Sequence, residues 1–187
     1  MTFSSKNNSY SSNGSSSDPR EEILRLLRSV PFAPFQLSVF LLLQRLGFRQ
    51  VRFLSRDHSR GRHSGIEADF RVSWPTPFGG TELLVELKHD HRALQRRYVD
   101  ELRGKMVRRG FSEGLIVTTG TISSAAAAAA QACPALPVKL LDGQGLANLL
   151  VDQGLAVTDE PGVHLDRDFF RRLLGVKFAS SLKGSRS

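Results

Sequence analysis

Between residues 67 and 88 the chain alternates apolar and polar side chains with a period of two, twice in succession, and no other feature constrains the fold as much. Ala68, Phe70, Val72 and Trp74 fall on one side of an extended segment, and Glu67, Asp69, Arg71 and Ser73 on the other, because successive side chains of a strand point to opposite faces. Residues 75–80 carry Pro75, Pro77, Gly79 and Gly80 and read as a turn. In residues 81–88, Leu83, Val85 and Leu87 share one face and Glu86 and Lys88 the other. The pattern predicts a β-hairpin with one face for a core and one face bearing charge.

Around this hairpin the period changes. Asp18 is placed to cap a helix with Pro19 at its first position and Glu21 where a capping box wants a carboxylate, and Ile23, Leu24, Leu27 and Val30 form an apolar stripe behind it. A second helix is expected from about Pro34, with Phe35, Val39, Leu42, Leu43 and Leu46 inward and Gly47 past its end. Residues 48–54 read as a strand and 55–65 as a loop. Downstream come a basic helix over 93–109 with Tyr98, Val99, Leu102 and Met106 inward, ended by Gly110, then an apolar strand over 114–119, an Ala-rich helix over 123–132, a strand over 138–141 and a helix over 143–153. Strands alternating with helices imply parallel pairing in this half, so the expected class is α/β, a mixed sheet flanked by helices.

With 187 residues, the chain has the size of one domain plus tails. Residues 1–17 are mostly Ser, Asn and Gly and are expected to be disordered, since they bury too little apolar surface to offset their conformational entropy. The domain is expected over 18–157, followed by a basic C-terminal extension over 158–187 with a short helix from Asp166 that aligns Phe169, Phe170, Leu173 and Leu174. The lone Cys133 excludes an intrachain disulfide scaffold, and no run approaches the roughly 18 apolar residues of a membrane span, so a cytoplasmic location is expected.

Net charge is +8, which points to a polyanionic partner. Residues 92–109 hold seven Lys and Arg against Asp100 and Glu101, and Arg92, Arg96, Arg97, Arg103 and Lys105 are the candidate contacts to DNA phosphates. Cations clustered in this way bind nucleic acid by counterion release, without reading sequence.

Chemistry is concentrated on the hairpin's charged face. Glu86 and Lys88 alone make an ordinary exposed pair. Asp69 on the adjoining strand changes the reading, because neighbouring strands then aim two carboxylates and an ammonium at one place. Carboxylate oxygens suit Mg²⁺, with Mn²⁺ as a substitute, and the ion needs only one or two of them besides water and substrate phosphate. Asp69 and Glu86 are the candidate metal ligands, and Lys88 the group that orients or deprotonates the attacking water. His89-Asp90-His91 is a weak candidate for zinc, because adjacent extended residues point apart, and it reads as a solvated loop. Thr118 and Thr119 before Ser123 and Ser124 suit either a phosphate at a helix N-terminus or plain N-capping.

Several blocks occur in an order that resembles the Mrr-type restriction endonucleases of the PD-(D/E)xK superfamily: Pro34-Phe35-Gln36, Leu46-Gly47-Phe48, Gly65-Ile66-Glu67-Ala68-Asp69, Val85-Glu86-Leu87-Lys88, Leu102-Arg103-Gly104, the run from Gly114 to Gly120, and Leu140-Leu141-Asp142-Gly143 before Leu146 to Leu150. The resemblance implies a restriction-endonuclease-like core in which Asp69, Glu86 and Lys88 bind metal and cleave DNA, with Gln36 as a supporting polar group in the first core helix. Glu67 shares a strand face with Asp69 and is the alternative ligand. The expected activity is a Mg²⁺-dependent endodeoxyribonuclease restricting foreign or modified DNA, with a homodimer to cut both strands. Two other readings stand beside it: a repair nuclease for branched DNA, and a DNA-binding subunit that does not cut.

Overall fold

The computed structural model describes residues 18–54, 67–76, 79–158 and 164–175. Its elements run α1 (Pro19–Ser29), α2 (Phe32–Arg45), β1 (Arg49–Leu54), β2 (Glu67–Thr76), β3 (Gly79–Lys88), α3 (Arg96–Arg109), β4 (Glu113–Thr118), α4 (Ser124–Gln131), β5 (Val138–Leu141), α5 (Gly143–Asp152) and α6 (Arg167–Gly175). Five strands form one sheet in the order β1-β2-β3-β4-β5. The first three are antiparallel, and β3, β4 and β5 are parallel. This is the mixed α/β architecture that the alternating pattern implied.

Each face of the sheet has its own helices. Phe70, Val72, Leu83, Val85, Leu87 and Val117 pack with Ile23, Leu27, Phe35, Val39, Leu42, Leu146 and Leu150 of α1, α2 and α5, and Phe169, Phe170 and Leu173 of α6 join the same core. On the other face, Leu84, Ile116 and Val138 meet Val99, Leu102 and Met106 of α3 and Ala126 and Ala129 of α4. Both parallel crossovers, through α3 and α4, thus lie on one side, as same-handed connections advancing across a sheet require.

The hairpin register is what positions the site. Its strands pair without interruption from Glu67↔Lys88 to Thr76↔Gly79, so the turn is tighter than the six residues expected, and Pro75, Thr76, Gly79 and Gly80 belong to the strands. Trp74, expected inward, is 45% exposed; near the far end of the hairpin it meets Phe48 edge-on, ring centre to ring centre at 4.9 Å. The basic helix begins three residues later than expected, because Leu94 is held in extended pairing by Thr121 O and Ile122. Asp18 caps α1 by accepting from Arg20 N. Gly110 ends α3 at φ 72°, a left-handed conformation that costs glycine nothing. The tail over 1–17 and the whole of the 55–65 loop lie outside the described residues.

Candidate active site

Asp69 and Glu86 are directly opposed across β2 and β3. Directly opposed residues share a sheet face and have Cβ atoms about 4.5–5.5 Å apart. The alternate positions Leu87, Val85 and Phe70 face the larger core, so Asp69, Glu86 and Lys88 all face α3. Glu86 is fully buried, Lys88 is 5% exposed and Asp69 9%. Two carboxylates at this depth are costly unless cations reach them, and here cations do. Lys88 Nζ is 2.7 Å from Glu86 Oε1 and 3.9 Å above the centre of the Tyr98 ring. From α3, Lys105 Nζ donates to Glu86 Oε2 at 2.6 Å and to Asp69 Oδ1 at 3.2 Å. One turn on, Arg109 donates to Asp69 Oδ2 at 3.3 Å.

These partners set the charges. At Asp69, burial is the largest influence and raises the carboxyl above its ordinary value, with Lys105 opposing and the Glu86 charge reinforcing the rise. At Glu86 burial again pushes upward, yet Lys88 and Lys105 together outweigh it and hold the carboxyl below its ordinary range. Burial works against the Lys105 charge, but Glu86 and Asp69 more than restore it, so the ammonium is held above the usual lysine value. Glu86 is the firmly ionised member of the pair, and Asp69 the one more easily protonated.

A divalent ion fits this donor set. Among the described residues Glu86 Oε1 is a buried oxygen that meets Lys88 Nζ as an ion pair at 2.7 Å and accepts no well-directed hydrogen bond. Asp69 and Glu86 supply two carboxylates, hard oxygen ligands of the kind a divalent ion such as Mg²⁺ takes. Glu67, the alternative ligand, pairs with Lys88 in register, and its side chain lies outside the described residues; Asp69 is the acid opposite Glu86.

The other candidates fall in different places. Gln36 is buried on α2, which packs on the opposite sheet face, and among the described residues no hydrogen bond joins it to the acids; its helix reaches the end of β3 through Phe35, whose ring stacks on His89 at 4.9 Å. His89 is not the solvated loop residue expected, since Nε2 also lies 2.8 Å from Leu27 O. Arg92 pairs with Asp90, Arg96 with Asp100, and Arg97 with the Tyr98 hydroxyl, all exposed. Arg103 instead turns back to donate to Leu136 O and Ala130 O, tying α3 to the end of α4. Lys105 is in the site rather than on the outer surface. Ser123 caps α4 by accepting from Ala126 N. Tyr98 was expected inward with Val99, Leu102 and Met106 but with no role in the site, and Arg109 had no assigned role; the only signal for either was its place on or beside that stripe. Gly120 lets β4 leave the site close to the loop after β3: a Cβ there would collide with Arg92 O and Asp90 O.

The family described as restriction endonuclease, the Mrr catalytic domain, matches residues 27–150, and the chain belongs to that family. No curated protein matches it. Among solved structures it is similar to the DNA modification-dependent restriction endonuclease AspBHI, with a TM-score of 0.52 and 17% identity, over 83% of this chain and 41% of that one. It is also similar to the MspJI restriction endonuclease in complex with a 27-mer oligonucleotide, with a TM-score of 0.50 and 21% identity, over 80% of this chain and 35% of that one. The chain therefore spans less than half the length of either structure, and at these identities the likeness is one of fold. No helix among the described residues is long and apolar enough to cross a membrane.

Proposed function

We propose that the chain is a Mg²⁺-dependent endodeoxyribonuclease that hydrolyses phosphodiester bonds of modified DNA in a restriction system, with Mn²⁺ able to replace Mg²⁺. The observation that carries this reading is the direct opposition of Asp69 and Glu86 with Lys88 on the same face, in a chain of the restriction endonuclease family. The two carboxylates would hold the ion, which when bound polarises the phosphodiester and lowers the pKa of water. Lys88 is the one cation of the cluster on the same strand as a ligand. Fixed by Glu86 and by the Tyr98 ring, it is aimed to orient the attacking water and to stabilise charge developing on the phosphate. Arg92, Arg96 and Arg97 line the exposed flank of α3 and the loop before it, where they would engage the DNA backbone. One such site serves one strand, so cutting both calls for two copies, and a homodimer is the simplest arrangement.

Modified DNA is the substrate class because AspBHI is described as modification-dependent. The test is a duplex oligonucleotide carrying 5-methylcytosine beside its unmodified twin, each incubated with Mg²⁺ or EDTA. Faster Mg²⁺-dependent cutting of the modified duplex supports the reading. Equal cutting of both removes the modification claim, and cutting of branched junctions alone would favour a repair nuclease.

A further inference from the structure

The Lys105 ammonium stands between the two acids, within 3.2 Å of Asp69 and 2.6 Å of Glu86. We propose that Lys105 is a displaceable internal counter-ion that competes with the divalent metal for the Asp69–Glu86 pair and leaves it when a DNA phosphate comes within reach, so that metal loading is coupled to substrate. This inference rests on the metal-dependent reading above and adds a control to it.

Position carries the argument. Among the described residues Lys88, Lys105 and Arg109 reach Asp69 and Glu86, and Lys105 Nζ already lies between the two acids, bonded to an oxygen of each. A divalent ion added there would face like charges in a poorly solvated place, which costs more there than in water. One cation has to withdraw, and the three differ in their freedom to do so. Lys88 is almost fully buried and held by Glu86 and Tyr98. The Lys105 and Arg109 side chains are 24% and 29% exposed, and both project from α3, the helix that carries the exposed Arg96 and Arg97. Of these two, only Lys105 touches both acids. Its flexible stem lets the ammonium exchange one anion for another, and a phosphate at the mouth of the site is the anion the substrate would bring. With Lys105 and Arg109 on phosphate, the oxygens of Asp69 and Glu86 that they now hold are open to a divalent ion.

Linkage makes the effect reciprocal: if DNA favours metal by some factor, metal favours DNA by the same factor, and couplings of this kind are typically about 5- to 150-fold. Removing the internal competitor should therefore tighten metal binding in the absence of DNA.

The experiment is calorimetric titration of the full chain with Mn²⁺, comparing the native protein with Lys105→Met, Lys105→Arg and Glu86→Gln, with thermal unfolding measured on each with and without Mn²⁺. The expected result is about ten-fold tighter Mn²⁺ binding in Lys105→Met, within the range of such couplings, near-native binding in Lys105→Arg, and a larger Mn²⁺-induced rise in Tm for Lys105→Met than for the native chain. Lys105→Gln replaces the Met variant if that one does not fold. Equal or weaker Mn²⁺ binding after the charge is removed, with binding still lost in Glu86→Gln, overturns the inference and leaves the metal reading standing. Mn²⁺ binding that survives Glu86→Gln overturns both.

Discussion

The two faces of β2 and β3 are made by the same residues in alternation, yet they are built on opposite principles. One face carries Phe70, Val72, Leu83, Val85 and Leu87, which are almost wholly buried against four helices. The other carries Asp69, Glu86 and Lys88, buried nearly as deeply but held by ion pairs to α3. The first face contributes to stability through apolar area removed from water. The second contributes little, since taking charges out of water offsets most of what their pairing returns. Such an arrangement keeps a group of charges dry and close, which chemistry on a phosphodiester requires and folding does not. Consecutive residues should therefore respond to substitution in opposite ways.

Asp69 and Phe70 give the sharpest contrast. Asp69→Asn should reduce metal-dependent cleavage about a hundred- to a thousand-fold, the scale seen when one electrostatic group is removed from an active site. Because burial already disfavours the Asp69 charge, this variant should unfold at nearly the native temperature. Phe70→Ala should cost about 3–5 kcal/mol in chemical denaturation, the usual range for a buried aromatic. Cleavage per folded molecule should change little. If Phe70→Ala cut poorly while folded, or Asp69→Asn unfolded, the division between the faces would not hold.

Within the charged face the two acids should separate by pH. Glu86 is held below its ordinary value of 4.5, so its contribution to stability is present above that pH and is lost as pH falls through the lowered value. Asp69 is raised above 3.8, so its ionisation costs stability as pH rises from there. Denaturant unfolding between pH 3 and 7 should thus show Glu86→Gln losing ground to the native chain with rising pH and Asp69→Asn gaining. Slopes of the same sign would contradict the assignment.

The smallest effects lie on α3. Arg103→Ala should cost about 1–2 kcal/mol of stability by removing bonds to two carbonyls, with little change in DNA affinity. Arg96→Ala and Arg97→Ala should leave stability alone and each lower the salt dependence of DNA binding by about one counterion, as read from affinity against salt concentration.

The sequence shows why the site was legible only in part. Alternation in residues 67–88 settles which side chains share a face, and a slip by one residue would drive Asp69 and Glu86 into the apolar core. A slip by two keeps the same faces and is not excluded by alternation; the pairing that continues to Thr76↔Gly79 selects Asp69 opposite Glu86. The stripe of Val99, Leu102 and Met106 was visible as helical spacing, but its docking angle was not. That angle decides that Lys105 and Arg109 reach the acids while Arg103 turns to α4. The amphipathic run at Phe169, Phe170 and Leu173 was equally visible, and its packing into the larger core beside α2 depends on a return of the chain that no local pattern records.

The central claim is that Asp69, Glu86 and Lys88 form a metal-dependent DNA-cutting site, and its most direct test is nicking and linearisation of supercoiled plasmid with Mg²⁺, Mn²⁺ or EDTA. The native chain should cut with either metal and not with EDTA, and Asp69→Ala and Lys88→Ala, both checked for folding, should not cut. A native chain that retards the plasmid but never cuts it with either metal, or folded variants that cut as well as the native chain, would contradict the account.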